Sequence, residues 1–320
     1  MDTRHLVDPQ LAPLLELFPA LDLTPELLPE QRALTRALFE ERKALLPDYP
    51  DIEVTERYIL GQAGAPEVRV LVYLPQHAPR PLPALLWIHG GGYVLGSADQ
   101  DDPQAKNIVA QVGCAVVSVD YRLAPETPHP GPVEDCYAAL TWLHAQAGEL
   151  GIDPSRIAIG GASAGGGLAA GLGLLTRDRG AIPLVFQLLI YPMLDDRTVG
   201  TADPHPYTGE FIWTHAANRF GWTSLLAQEP GGTGVSPYAA AARAETLVGL
   251  PLTYLCVGAL DLFLDEDLEY ARRLLRAGVP TELHVYPGAY HGFNMAVEAA
   301  VSQAYMRDYL GALRRALQNA

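Results

Sequence analysis

The sequence predicts an α/β architecture: a mostly parallel, eight-stranded sheet flanked by helices, with a helical cap above it. Three observations carry that prediction. Short, continuous apolar runs such as Ala84 to Ile88 (ALLWI) and Ala115 to Val119 (AVVSV) read as strands buried on both faces. Helical stretches alternate with them, which is the pattern of parallel strands joined by crossover helices. The 320 residues are 49% hydrophobic and only 18% charged, so a core of the necessary size can be buried.

The first fifty residues differ from the rest. Leu11, Leu14, Leu15, Leu17 and Phe18 recur at helical spacing. A second helical stretch runs from about Glu30 to Leu46, with Leu34, Ala37, Leu38 and Leu45 on one side. Pro9, Pro13, Pro19, Pro25 and Pro29 punctuate this region. Residues 1–48 are therefore expected to form the N-terminal part of a cap. The eight strands are read at Val54 to Leu60, Val68 to Leu74, Ala84 to Ile88, Ala115 to Val119, Arg156 to Gly160, Leu184 to Tyr191, Thr253 to Val257 and Thr281 to Tyr286. Helices are expected at Pro103 to Gln111, Val133 to Ala147, after Ser163, from about Asp265 to Ala277, and from about Val297 to Ala316. Between Asp195 and Pro237 the rhythm breaks. That stretch is rich in Gly, Pro, Thr and aromatics, and 195–237 reads as a cap insertion into a body made of 49–194 and 238–320.

Charge and composition exclude several classes of function. A formal net charge of −15 repels phosphate backbones and anionic bilayers, so nucleic-acid binding is not expected. No apolar run reaches membrane-spanning length, so no stable membrane insertion is expected, and MDTRHLVDPQ has no signal-peptide core. Cys114, Cys136 and Cys256 are far apart and odd in number, which suits free thiols in a reducing, cytoplasmic setting. The nine histidines show neither HExxH nor an i, i+4 pair, so no metal site is expected.

Four features that follow strands carry the chemistry, and loops at the carboxyl ends of a parallel sheet converge. His89-Gly90-Gly91-Gly92 follows ALLWI, and consecutive glycines can present bare backbone N–H groups to a developing oxyanion. Gly161-Ala162-Ser163-Ala164-Gly165 lies between a strand and an Ala/Leu/Gly-rich helix. There a sharp turn would expose the serine, and small neighbours would let the backbone pack closely. Asp261 follows the strand TYLCVG, and His291 follows TELHVYP. The chain order Ser, Asp, His is that of α/β hydrolases. Asp265 and Asp267 compete with Asp261 for the role of the acid. Gly165 to Ala170 also fits the dinucleotide pattern GxGxxA, but lies inside a helix rather than in the first strand–helix turn.

Together these motifs resemble the hormone-sensitive-lipase family of esterases, whose members carry HGGG. Asp120-Tyr121-Arg122-Leu123-Ala124-Pro125-Glu126 is similar to its YRLAPE signature. Asp153-Pro154-Ser155-Arg156, the acid loop from Asp261 to Asp265, and His291-Gly292-Phe293 also match family elements. The resemblance covers roughly residues 50 to 320. Ala162 stands where the family usually has Asp, Glu or Thr, and Leu262 where it has Pro.

The resemblance implies the α/β-hydrolase fold and a serine carboxylesterase that needs no cofactor and acts on small-molecule esters of short to medium acyl chain. Ser163 would be the nucleophile, His291 its base and Asp261 the acid. Gly91, Gly92 and Ala164 would supply the oxyanion N–H donors. The cap would cover the acyl pocket, with Tyr93, Phe211, Trp213, Phe220 and Trp222 as candidate lining residues. Tyr121, Arg122 and Glu126 are expected in a buried ion-pair network that supports the site, and Glu126 and Asp135 are expected to serve structure. The family also implies homodimers formed through Thr281 to Tyr286 and the last helix.

Overall fold

A computed structural model describes residues 2–18, 23–43 and 47–318. Its centre is one eight-stranded sheet made of β1 (Ile52–Ile59), β2 (Val68–Pro75), β3 (Leu82–Ile88), β4 (Ala115–Asp120), β5 (Ile152–Ala162), β6 (Phe186–Ile190), β7 (Leu252–Gly258) and β8 (Thr281–Tyr286). The spatial order is β1-β2-β4-β3-β5-β6-β7-β8. Only β2 runs against its neighbours, pairing antiparallel with β1 and β4. All eight predicted strands are present, and the sheet is mostly parallel as expected.

Among the described residues the helices are α1 (Leu14–Leu17), α2 (Leu28–Lys43), α3 (Asp102–Val112), α4 (Gly131–Ala145), α5 (Ala147–Leu150), α6 (Ala164–Arg179), α7 (His215–Leu226), α8 (Leu264–Arg276) and α9 (Ala300–Gln318). The sheet divides the core in two. Leu86, Ile88, Val117 and Val119 face α4, α6 and α8, while Leu85, Trp87 and Val116 face α3 and α9. Alternate residues of one strand therefore serve opposite cores, which is why these strands are apolar throughout. Each buried Leu or Val contributes roughly 1.5–3 kcal/mol, so the two layers fix the sheet, and with it the height of every loop at its carboxyl edge.

Several elements differ from the expectation. The first predicted helix shrinks to the single turn α1. Leu11 and Leu15 are buried, but Leu17 is 67% exposed, and Pro13 sits directly at the helix start, where its ring blocks extension from upstream. The anticipated apolar face of α2 is not covered: Leu34 is 50% exposed and Ala37 is exposed as well. Leu45 and the predicted helix end at Leu46 lie outside the described residues. What fastens α2 is Arg32, which donates to the carbonyls of Val94 (2.8 Å) and Ala124 (2.9 Å) and to both carboxylate oxygens of Glu126. β5 begins four residues earlier than predicted, because Asp153 accepts from Ser155 N–H and Arg156 Nε and lets the chain bulge between its two stretches of pairing with β3.

The expected buried network of Tyr121, Arg122 and Glu126 is instead three separate contacts, each with a different partner. Glu126 is exposed and pairs with Arg32. Tyr121 stacks on His89 with ring centroids 4.2 Å apart. Arg122 donates to the buried Asp135 through its backbone N–H (3.0 Å), Nε (2.8 Å) and Nη2 (2.6 Å), tying the loop after β4 to α4.

Residues 2–18 attach to two distant parts of the chain. Thr3 donates to Glu210 Oε2 from both N–H (2.8 Å) and Oγ1 (2.6 Å). Asp8 N–H donates to the Gly288 carbonyl, and Tyr290 Oη donates to the Leu11 carbonyl. α7 within 195–237 is capped by Thr214, whose Oγ1 accepts from Ala217 N–H.

Two predictions follow from these anchors. Removing one member of a buried ion pair costs ~3–5 kcal/mol, and the partial exposure of the Arg122 guanidinium reduces that. Arg122→Gln should lower the unfolding free energy by about 2 kcal/mol in denaturant titration, and a loss below about 0.5 kcal/mol would contradict the anchoring role. The second concerns Asp267 on α8, which is fully buried with no hydrogen-bond partner for either carboxylate oxygen. Burial, then the neighbouring Glu266 and Asp261, push its pKa well above the ordinary 3.8. Above that pH the unfolded chain releases this proton while the folded chain keeps it, so stability falls as pH rises toward the folded pKa. Each pH unit in that window costs up to ~1.4 kcal/mol. Asp267→Asn should therefore gain stability over the wild type progressively from pH 4 to pH 7 in thermal melts, and a pH-independent difference would refute the neutral carboxyl.

Candidate active site

The site assembles at the carboxyl edge of the sheet, where β3, β5, β7 and β8 each end in a loop. β5 runs into α6 through Ser163, which has φ 56° and ψ −122°. A non-glycine residue there costs of order 1–3 kcal/mol and persists only where its surroundings hold it. Ser163 N–H donates to the Ile190 carbonyl (2.8 Å), and its own carbonyl accepts from Gly167 N–H (2.9 Å) and Met193 N–H (3.1 Å). The small neighbours are required by close packing. A methyl group at Gly165 would collide with the carbonyl oxygens of Ile88 and His89, and one at Gly161 with those of Gly165 and Ile88. The turn thus locks the serine against the end of β3.

Three of the predicted residues meet here. His291 Nε2 lies 2.9 Å from Ser163 Oγ, and His291 Nδ1 lies 2.8 Å from Asp261 Oδ2. Asp261 is fully buried, and its other carboxylate oxygen accepts from Phe263 N–H at 3.0 Å. Both carboxylate oxygens are therefore partnered. Asp261 lies in the loop joining β7 to α8, and His291 in the loop joining β8 to α9. Of the three aspartates, Asp261 bonds the imidazole, Asp265 is exposed, and Asp267 is buried without a partner.

The HGGG loop passes directly beside the serine. A methyl group at Gly90 would lie 3.4 Å from Ser163 Cβ. Gly91 (φ 117°) and Gly92 (φ 60°) occupy backbone conformations that side chains disfavour. The Gly91 carbonyl accepts from Val94 and Leu95 N–H, so this oxygen is tied into the turn. Ala164 is the first residue of α6, where an N–H has no carbonyl one turn earlier to bond.

The five candidate lining aromatics separate into different layers. Trp213 is 3% exposed, and its ring centroid lies 6.3 Å from that of His291. Phe211 packs on Tyr290 at 5.8 Å. Tyr93 and Trp222 are fully buried and lie 5.3 Å apart, and Tyr93 Oη is occupied by the Met193 carbonyl (3.0 Å), so this pair backs the site rather than facing it. Phe220 is half-buried against the core. The GxGxxA stretch lies within α6 and is buried throughout, which closes it to a dinucleotide.

Two neighbours of His291 were missed in the sequence. Tyr191 meets the imidazole edge-on at 4.8 Å and donates from Oη to Asn294 Oδ1 at 2.8 Å, and Phe263 meets it edge-on at 5.2 Å. Tyr191 was read as the last residue of its strand. It leaves the strand with φ 33°, and the following Pro192 was the available signal that the strand stops. Burial raises the Tyr191 hydroxyl well above its ordinary pKa, so it stays a neutral donor. Glu266, in the first turn of α8, is also pushed up by burial, and accepts from Leu194 N–H (2.7 Å), Asp195 N–H (3.2 Å) and Thr198 Oγ1. Among the described residues no group of three or more His, Cys, Asp or Glu side chains is arranged to hold a metal ion.

Known proteins resemble this chain in sequence and fold. A family model described as the alpha/beta hydrolase fold matches residues 85–295. The carboxylesterase NlhH of Mycobacterium tuberculosis is 37% identical over 318 residues, covering 97% of this chain and 96% of that protein. Among solved structures, a bacterial heroin esterase superposes with a TM-score of 0.94 at 45% identity, covering 99% of both chains. The esterase LipW of Mycobacterium marinum superposes with a TM-score of 0.87 at 37% identity over 98% of this chain and 97% of its own. With the sheet order, the HGGG loop and the serine turn already in place, the chain belongs to the α/β hydrolases and, within them, to the hormone-sensitive-lipase family of carboxylesterases.

Proposed function

We propose that this protein hydrolyses carboxylic esters of short to medium acyl chain through an acyl-enzyme on Ser163. One observation carries the reading: the unbroken relay from Ser163 Oγ through the imidazole to Asp261, with links of 2.9 and 2.8 Å. His291 Nε2 takes the serine proton as Oγ attacks the carbonyl carbon, and Asp261 holds the tautomer with its proton on Nδ1 and stabilises the imidazolium. The N–H groups of Gly91, Gly92 and Ala164 receive the oxyanion, each such donor supplying roughly 3 kcal/mol. The C–O bond to the alcohol breaks and His291 returns its proton to the leaving alkoxide. Water, deprotonated by the same imidazole, then releases the acid and regenerates Ser163.

The two segments outside the body, 1–48 and 195–237, act together as the cap. Support comes from the Thr3–Glu210 bonds that join them and from Trp213, which the second segment places near His291. The restricted, apolar surroundings of Ser163, itself 7% exposed, favour small acyl groups. A homodimer through β8 is supported by the exposure of Leu283 and Val285 on this edge strand. A cytoplasmic setting suits three buried, unpaired cysteines. No helix among the described residues is long and apolar enough to cross a membrane.

The test combines labelling with kinetics. A fluorophosphonate should modify Ser163, located by peptide mass spectrometry. Ser163→Ala should lose hydrolysis of p-nitrophenyl acetate by ~10⁴-fold or more. Asp261→Asn should lose ~10⁴-fold in kcat while remaining folded. Full activity in Ser163→Ala would sink the assignment.

A further inference from the structure

We infer that Trp213 is the residue that sets the upper size limit of the acyl group, an inference that rests on the esterase reading above. Its indole fills a slot between two glycines. The six-membered ring lies directly against Gly92, so that any side chain at that position would run into it. A methyl group at Gly221 on α7 would likewise stand 3.4 Å from the ring and 2.8 Å from the Gly92 carbonyl. The indole therefore spans the gap between α7 and Gly92, with its ring centroid 6.3 Å from that of His291.

The backbone that delivers the ring is strained. Trp213 N–H donates to the Phe211 carbonyl at 2.7 Å, closing a three-residue turn whose centre, Ile212, has φ 59°. A β-branched residue is an outlier there and needs surroundings that impose the conformation. Trp213 Nε1–H donates to Asn218 Oδ1 at 3.3 Å, and Asn218 is fully buried, so the far edge of the indole is held as well. A side chain fixed at both edges and wedged between glycines cannot yield to a long substrate by simple rotation.

The direction of the limit follows from the reaction. A carbonyl carbon bonded to Ser163 Oγ points its oxygen at the oxyanion donors. The alcohol oxygen must lie within reach of His291 Nε2 to take its proton. On this inference the acyl chain takes the remaining direction, past Gly92, which lies against the indole.

The test is kcat/KM for p-nitrophenyl acetate, butyrate and octanoate with the wild type, Trp213→Ala and Trp213→Phe, beside phenyl and 2-naphthyl acetate as an alcohol series. The octanoate-to-acetate ratio should rise by about tenfold or more in Trp213→Ala, with Trp213→Phe between the two. The naphthyl-to-phenyl ratio should stay constant. Trp213→Phe keeps a ring in the slot and serves where the alanine variant does not fold. A folded variant whose octanoate-to-acetate ratio stays within about twofold of the wild type overturns the inference, and so does a shift confined to the alcohol series. In both cases hydrolysis by the wild type leaves the esterase reading intact. A wild type that cleaves none of these esters overturns both.

Discussion

Everything in the site hangs on one backbone residue held in an unfavourable conformation. Ser163 sits where β5 must become α6 within a single step, and the strand and helix can approach only because Gly161 and Gly165 have no side chains between them. That close approach puts the serine beside the HGGG loop at the end of β3 and beneath the imidazole arriving from the far end of β8. The strain of order 1–3 kcal/mol is offset by the two buried layers on either side of the sheet, each lined by large apolar side chains. The local geometry and the size of the fold are thus linked: a smaller core would hold such a turn less firmly.

The imidazole is constrained by a different kind of chemistry. Its two nitrogens are claimed by a hydroxyl and a carboxylate, and its ring is surrounded by Tyr191, Phe263 and Trp213. Tyr191 is itself fixed by Asn294, three residues beyond the histidine it packs against. The ring is therefore held by packing and the proton path by hydrogen bonds. The acidic groups behind it divide by environment. Asp261 has a partner for each oxygen, Glu266 bonds two backbone N–H groups, and Asp267 has none, so the loop before α8 and its first turn hold these three carboxyls in three situations.

Much of this was legible in the sequence because it depends on local pattern. The eight strands, the serine turn and the order Ser163, Asp261, His291 follow from apolar runs and small-residue motifs, which report strand burial and close backbone packing directly. What escaped depends on contacts across long stretches of chain. Nothing near Leu34 announces that its face of α2 stays exposed while Arg32, two positions away, supplies the anchor. Helical periodicity around Leu11 outweighed Pro13 in the sequence reading, and the proline prevailed in the fold. Tyr93 and the four aromatics of the insertion are alike in type, and packing puts Tyr93 and Trp222 behind the site and Trp213 at it. Side-chain depth is a tertiary property that composition does not encode.

The bonds from Thr3 to Glu210 bridge more than two hundred positions of sequence, and the same leading segment is stitched to Gly288 and, through Leu11, to Tyr290, the residue before the histidine. The leading segment consequently lies as a strap across both the 195–237 segment and the loop that carries His291. Mechanically, a displacement of either would have to break or carry these shared bonds. The surroundings of Ser163 and the seating of His291 are in this way tied together through a segment far away in sequence.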